Sequence, residues 1–424
     1  DRTDLLRLVV GISGVVEFDV ELRIRFDYAR AMPWVRQTGI PEAPELIAMA
    51  GPDAVVVRGA LLQADGYRHR GTFEVRAGER VDLSLTWFPS FRPVPEPLDA
   101  GGALDATRDW WQSWADRIEP GGVHRAEVVR SLLVLRALTN HDTGGIAAAA
   151  TTSLPEDLGG ARNWDYRFVW LRDAALTLEA LLEHGFIRLA DNWRTWLLRA
   201  VAGDPAELQI MYGLAGERDL FERELPHLGG YEGSQPVRIG NAAALQYQAD
   251  VVGEVLVTLS AAREAGLSDS EFSWPLEAQL VRYAAEQFER PDHGMWEIRG
   301  EPRLFTHSRV MIWATFDRAV RAVEEHGLPG PVDRWRELRQ RVRDEIDERG
   351  VAHGHFTQYF GTDEVDASLL LLPQVGFCAP DDPRMLATVE RIEATLVRDG
   401  LVLRYRAAAE LDGLPGPEQP FLAC

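Results

Sequence analysis

The period of the hydrophobic residues changes once along this 424-residue chain, and that change constrains the fold more than any other feature. In residues 1–90 apolar and charged residues alternate, most clearly between Phe18 and Phe26. A period of two predicts antiparallel strands with one buried face. Further strands are predicted at residues 55–57, 72–75 and 81–87, which turn residues separate. The first ninety residues are therefore predicted to form a β-sandwich.

A proline-rich connector, with prolines at 89, 93, 95 and 97, leads to a second region whose apolar residues recur at helical spacing. Predicted helices cover residues 105–118, a segment beginning near 128, and residues 173–184, 189–202, 241–265, 274–289, 307–326, 331–349, 366–374 and 384–397. The predicted domains are an incomplete β-sandwich at 1–90, a linker with a connecting helix at 91–122, and a large helical domain at 123–424.

Charge and composition exclude several classes of protein. There are 45 Lys+Arg and 66 Asp+Glu residues, a net charge of −21, which argues against nucleic acid as a partner. Apolar stretches fall short of the roughly 20 residues that span a bilayer, so no membrane partner is expected. No leader peptide is visible, which predicts a cytoplasmic protein. The sequence leaves open whether the protein forms a homo-oligomer.

Metal and disulfide chemistry are also not expected. The only cysteines, Cys378 and Cys424, cannot build a disulfide framework or a cysteine-rich zinc site. The histidines lack the spacing of metal ligands. No cofactor is therefore predicted, and the chemistry must come from carboxylates, arginines and aromatic residues.

The first candidate site is Arg172–Asp173, which lies between Trp170 and an apolar helix start. Buried charges cost several kcal/mol unless they are paired, so the two residues are expected to form a pair. Such a pair beside tryptophans suits a sugar, because charged groups bind hydroxyls and aromatic faces stack on the ring. The alternative is that Asp173 caps the following helix and pairs with Arg172 in a purely structural role.

The second candidate is Glu297, which follows Trp296 in a partly apolar loop. Such a position is expected to raise the pKa of the carboxyl, as a general acid at neutral pH requires. The alternative is a solvated loop glutamate.

Two further segments are weaker candidates. Polar residues on the helix predicted at 241–265, namely Gln246, Gln248, Asp250 and Glu254, suggest a wet cavity, or alternatively an exposed helix face. The segment from Arg404 to Glu418 and beyond displays an acid in a glycine- and proline-rich loop.

The sequence resembles the glucoamylase/trehalase type of glycoside hydrolase, family 15, over essentially its whole length. It is most similar to the bacterial and archaeal branch with a trehalase-like β domain. The strings that carry the resemblance are NWDYR (163–167), WLRDA (170–174), IMYG (210–213), GER (216–218), GYEGS (230–234), VRIGNAA (237–243), WEIRGEP (296–302), FTHS (305–308) and DASLL (366–370).

The resemblance implies an (α/α)6 barrel of twelve helices and an inverting mechanism on α-glucosides, either trehalose or maltooligosaccharides. Inversion uses one carboxyl as acid and another as base, about 6.5–9.5 Å apart. Glu297 matches the family's general acid. The remaining matched positions are implied to bind substrate, namely Tyr166, Trp170, Arg172, Asp173, Trp296, Glu301, Arg404 and Glu418.

The general base is expected on a loop that contains a glutamate, beyond Cys424. The first part of the β domain is expected to precede Asp1. About nine of twelve barrel helices are counted, so the chain is interpreted as incomplete at both ends. Alternatively, Glu418 is the base, if its loop folds toward Glu297.

Two other functions stay open at this stage. The fold could serve as a non-catalytic sugar-binding or sensory protein. It could also serve as a phosphorylase in which phosphate replaces the base.

Overall fold

The chain divides into two units, Asp1–Glu119 and Pro120–Cys424. The structure is a computed structural model that describes residues 2–119, 123–201 and 205–406, without the side chain of Ser153. Helix α1, which lies inside the predicted connecting segment, groups with the strands of the first unit.

The first unit contains two antiparallel sheets followed by one helix. Its elements are β1 (Thr3–Val10), β2 (Val15–Leu22), β3 (Trp34–Ile40), β4 (Ala43–Ala50), β5 (Asp53–Arg58), β6 (Gln63–Asp65), β7 (Arg68–Arg76), β8 (Arg80–Pro89) and α1 (Ala100–Ala115). The sheet orders are β1-β8-β5-β4-β3 and β2-β7-β6. Leu46, Ala48 and Val55 of the larger sheet share one apolar cluster with Val20 and Leu22 of the smaller sheet. This shared cluster is the packing expected of a sandwich.

The alternating segment around Phe18 forms a strand as predicted, but the strand is shorter. Strand β2 ends at Leu22, opposite His69 near the start of its partner β7, and Asp27, Tyr28 and Ala29 take positive φ values further along the chain. Phe26 pairs only with Ala31, in an isolated bridge. The period-two pattern therefore extends past the end of the paired strand.

The second unit is mainly helical, as predicted. Its helices are α2 (Arg125–Leu138), α3 (Leu171–Glu183), α4 (Ile187–Ala200), α5 (Val251–Glu264), α6 (Ser273–Gln287), α7 (Thr306–His326), α8 (Val332–Arg349) and α9 (Pro383–Leu396). Helix α5 packs between α3 and α7, and α8 packs on α7. One large apolar cluster extends from α3 to α9. Among the described residues, no helix is both long enough and apolar enough to cross a membrane.

Two helix predictions are wrong in extent. Residues 241–265 form a 3₁₀ turn at Ala242–Leu245, an extended segment, and only then α5. Asn241 caps the turn, and Gln246 leaves it with an extended ψ of 150°. The predicted helix at 366–374 is likewise a 3₁₀ turn, Ala367–Leu371, capped by Asp366. In both cases a side-chain cap satisfies the backbone locally and competes with a longer helix.

Two-stranded antiparallel sheets accompany these helices. They are β9 (Thr152–Pro155) with β10 (Asn163–Asp165), β11 (Val169–Trp170) with β12 (Met211–Tyr212), β13 (Arg223–Glu224) with β14 (Arg238–Ile239), β15 (Val351–Ala352) with β16 (His355–Phe356), and β17 (Val397–Arg398) with β18 (Leu401–Val402). Strand β11 runs directly into α3. The helix start is therefore held by a paired strand, which fixes the side chains that follow Trp170.

Candidate active site

The guanidinium of Arg172 lies at the centre of a buried polar cluster at the start of α3. Its Nη1 donates to Oε1 of Gln248 at 2.9 Å and lies 3.6 Å from Oδ2 of Asp250. Its Nη2 lies 3.5 Å from carboxylate oxygens of both Asp173 and Glu297. Burial disfavours the charge of Arg172, but the surrounding carboxylates raise its pKa overall. Arg172 therefore stays charged and holds three acids around it.

Asp173 belongs to this cluster and is not the cap of α3. The N-cap residue is Trp170, and Asp173 lies in the first helical turn. One of its carboxylate oxygens is enclosed without a hydrogen-bond partner among the described residues, while 41% of the side chain is accessible. Burial raises the pKa of Asp173, although Arg172 opposes the shift. The pair predicted with Arg172 is confirmed, and an accessible carboxyl is left for a ligand.

Glu297 points into the same cluster from a constrained loop. Its φ of 57° is left-handed, a conformation that costs a non-glycine residue on the order of 1–3 kcal/mol. Its N–H donates to the carbonyl of Gly294 at 3.1 Å, and the indole N–H of Trp170 donates to its Oε1. Only 22% of the Glu297 side chain is accessible, so the solvated-loop alternative is wrong.

The pKa of Glu297 is raised, as predicted from its position. Burial is the main cause, and Arg172 and the Trp170 hydrogen bond oppose it. A carboxyl with a raised pKa keeps its proton at higher pH than an exposed glutamate, which is the property of a general acid.

The loop that carries Glu297 is anchored by Asp292. The buried carboxylate of Asp292 accepts hydrogen bonds from the N–H of Ala249 at 3.0 Å, the N–H of Gly294 at 3.2 Å and the hydroxyl of Ser308 at 2.7 Å. Burial and the nearby charge of Asp250 raise its pKa to about 7. This anchor joins the loop to the start of α7 and to the segment before α5.

The pattern at residues 246–254 belongs to the cluster, although not as one helix face. Gln248, Asp250 and Glu254 are all buried, so the exposed-face alternative is wrong. Asp250 has no accessible surface, and burial raises its pKa. Gln246 donates to the backbone carbonyl of Glu297 at 3.3 Å. Because the chain is extended before α5, the two glutamines reach the cluster from outside the helix.

Aromatic rings form one wall beside these acids. The rings of Tyr166 and Phe168 lie 6.0 and 6.4 Å from that of Trp170, centre to centre. Trp296 packs against an apolar group that contains Phe305. An apolar wall beside charged donors and acceptors suits a pyranose ring, whose faces are apolar and whose hydroxyls lie around its edge.

Glu156 is a site residue that sequence reasoning missed. It follows β9, and its side chain is only 7% accessible. Its carboxylate accepts hydrogen bonds from Trp164 Nε1 at 3.2 Å, Tyr166 Oη at 3.4 Å and Arg404 Nη2 at 2.9 Å. Glu156 lies between Pro155 and a glycine-rich turn, a position typical of an exposed turn residue. The local sequence therefore does not indicate its place in the site.

His307 was also missed as part of the cluster. It is 2% accessible, and neither ring nitrogen has a hydrogen-bond partner among the described residues. Burial and the charge of Arg172 lower its pKa to about 3, so the ring is neutral at ordinary pH. It therefore lies near Arg172 without adding charge to the cluster.

The family is decided by sequence comparison. The family model for Glycosyl hydrolases family 15 matches residues 122–424. The chain belongs to this family. It is 38% identical to a trehalase of Mycolicibacterium smegmatis over 99% of the chain and 64% of that protein. It is 37% identical to a trehalase of Thermoplasma acidophilum over 75% of the chain and 55% of that protein. The chain thus spans 64% and 55% of the length of these two curated relatives, less than two thirds of either.

Solved structures confirm the family 15 fold. A bacterial glucoamylase complexed with acarbose superposes with a TM-score of 0.64 at 14% identity, covering 89% of this chain and 62% of that one. A wild-type glycosidase gives a TM-score of 0.52 at 20% identity, covering 68% and 76%. The fold is therefore glucoamylase-like, whereas closure into twelve helices stays a prediction.

Of the predicted family 15 site residues, the structure leaves Glu301 outside this cluster and does not describe Glu418. Glu301 is exposed, and no contact among the described residues joins it to Arg172 or Glu297. Glu418 lies outside the described residues. Their predicted roles in substrate binding therefore stay predictions, as does the general base expected beyond Cys424.

Proposed function

We propose that the full-length protein hydrolyses α,α-trehalose to glucose with inversion. The observation that carries this proposal is the carboxyl of Glu297, whose pKa is raised and which lies 3.5 Å from the guanidinium of Arg172. The relatives named as trehalases supply the substrate, because they match the chain at 37–38% identity. A soluble α-glucoside fits the accessible carboxyl of Asp173 and the aromatic wall.

The steps of the reaction follow from these roles. Arg172 and Asp173 bind hydroxyls of the glucose whose bond is cleaved, and Trp170 lines its ring. Glu297 donates its proton to the bridging oxygen as the C1–O bond breaks, so that the second glucose leaves neutral. A water attacks C1 from the opposite face and loses its proton to a second carboxylate about 6.5–9.5 Å from the acid. That base is predicted beyond Cys424.

The stereochemistry of the products tests the mechanism. Inversion at one carbon releases that glucose as the β anomer, while the other glucose keeps its α configuration. Proton NMR of a trehalose digest in the first minutes, before mutarotation, is therefore expected to show equal α- and β-glucose. α-Glucose alone would mean retention and contradict the mechanism.

Parallel digests separate the other functions. Faster cleavage of maltose than of trehalose would indicate a glucoamylase. Glucose 1-phosphate formed only with added phosphate would indicate a phosphorylase. Binding of either sugar without any product would indicate a sugar-binding protein.

The indole of Trp170 lowers the pKa of the proposed acid, against the effect of burial. Its N–H donates to the carboxylate form of Glu297, so Trp170→Phe is expected to raise the pKa of that carboxyl further. Glu297 then stays protonated to higher pH, so the alkaline limb of the pH profile of kcat/KM for trehalose shifts to higher pH. The optimum kcat is expected to stay within about tenfold, because the acid itself remains.

Trp196→Phe is the matched control for this change. It also removes an indole hydrogen bond, to the carbonyl of Leu214 at 2.9 Å, but it does not touch Glu297. An equal movement of the alkaline limb in both variants would contradict the role of Trp170.

A further inference from the structure

The carboxylate of Glu156 joins three segments that are distant in sequence. Its partners are Trp164 and Tyr166, at and just after β10, and Arg404, which follows β18 and lies 248 positions along the chain. The side chains of Glu156 and Arg404 are only 7% and 15% accessible. An ion pair so enclosed is screened little by water, and loss of one partner leaves an uncompensated charge.

The contacts place Glu156 near Glu297, two side chains away, without direct contact to Arg172 in the described part of the chain. Tyr166 lies between Glu156 and Trp170, whose indole binds Glu297. Burial raises the pKa of Tyr166, and the charges of both Glu156 and Glu297 add to the shift. No contact among the described residues joins Glu156 to Arg172 or Asp173.

A second connection runs through Arg404. Its guanidinium lies 6.0 Å from the ring centre of Trp296, the residue next to Glu297. Arg404 and Tyr166 therefore reach the neighbourhood of the acid from different segments, and one carboxylate binds both. The guanidinium of Arg404 and the phenol of Tyr166 can bind the hydroxyls of a sugar ring, and the indole face of Trp296 can pack on its apolar face. Beside Glu297, these groups suit a second sugar ring.

We propose that Glu156 is a positioning residue for the second sugar ring, the glucose that leaves. Its carboxylate holds the hydroxyl of Tyr166 and the guanidinium of Arg404, and these two side chains contact that ring. The inference rests on the proposed hydrolysis of α-glucosides and adds to it the side of the site that selects the leaving group.

Two substrates distinguish an effect on the second sugar ring from a general loss of activity. α,α-Trehalose has a second glucose ring as its leaving group, whereas α-glucosyl fluoride has only fluoride in that place. In the full-length protein, Glu156→Gln keeps the size of the side chain and removes its charge. We expect kcat/KM for trehalose to fall about 10–100-fold, mainly through KM, as for loss of one charge-assisted hydrogen bond. We expect kcat/KM for the fluoride to change less than about threefold, because its cleavage uses no second-ring contacts.

Glu277→Gln is the matched control. Glu277 is also buried and paired, with Arg263 at 2.8 Å, but no described contact joins it to Glu156 or Glu297. It is expected to leave the ratio of the two kcat/KM values unchanged. If Glu156→Gln does not fold, Tyr166→Phe, which removes one donor without a charge change, is expected to give the same selective loss.

The outcomes are distinct. An equal fall for both substrates in Glu156→Gln, or no fall for trehalose, overturns the positioning role while the hydrolase function stands. A wild-type protein that cleaves neither substrate overturns the proposed function and this inference with it.

Discussion

Replacing Glu297 with glutamine is expected to lower kcat for trehalose by about 10²–10⁴-fold, the contribution of general acid catalysis. Glutamine keeps the size of the side chain but has no proton to give to the bridging oxygen. Hydrolysis of α-glucosyl fluoride is expected to be largely spared, because fluoride leaves without a proton. Steady-state rates with both substrates measure the difference.

The control for this experiment is Glu324→Gln. Glu324 is a surface acid of α7, 43% accessible and paired with Arg336. It is expected to leave both rates within about twofold, as surface substitutions usually have small effects. A Glu297→Gln variant that keeps the wild-type rate on trehalose would show that Glu297 is not the acid.

Replacing Arg172 with methionine is expected to lower the free energy of unfolding by about 3–5 kcal/mol at neutral pH, because the change leaves buried carboxylates without their cation. Asp173, Asp250 and Glu297 all lie within 3.6 Å of the guanidinium. Activity on trehalose is expected to be lost as well, because Arg172 is proposed to bind substrate hydroxyls. Urea denaturation of the full-length protein measures the stability.

The loss of stability is expected to depend on pH. Burial already raises the pKa of Asp173 and Asp250 in the folded protein, and removal of Arg172 raises both further. A carboxyl with a raised folded pKa favours the folded state at low pH, and this contribution disappears as pH rises through that pKa. The deficit of Arg172→Met should therefore shrink as pH falls.

A second substitution checks the electrostatic cause. Asp250→Asn in the Arg172→Met background removes one unpaired negative charge and is expected to restore part of the stability at neutral pH. An equal deficit at pH 5 and pH 8, without recovery in the double variant, would indicate lost packing as the cause.

The part of the site that could be predicted is the part encoded in short segments. Trp170, Arg172 and Asp173 are neighbours in sequence, and the strand-to-helix transition at residue 171 keeps them together in space. Glu297 follows Trp296 directly, so its partly apolar environment and raised pKa were visible from the sequence.

The part that could not be predicted depends on where the chain folds back. Helical spacing at 241–265 placed four polar residues on one helix, but the chain leaves its 3₁₀ turn at Gln246 and reaches Arg172 from an extended segment. Helix propensity does not reveal that the helix is interrupted here. The side chain of Asn241 competes with the helix by capping the backbone, and that hydrogen bond exists only in the folded local geometry.

The sequence by itself determined a sheet region followed by a helical region, since periods of two and of about 3.6 follow directly from strand and helix geometry. It also determined family 15 membership and the pairing of Arg172 with Asp173. Only the tertiary structure decided that Glu156 meets Arg404, and that Asp250 and His307 surround Arg172. Local spacing cannot show such contacts, because burial and charge pairing arise between segments that meet only after folding.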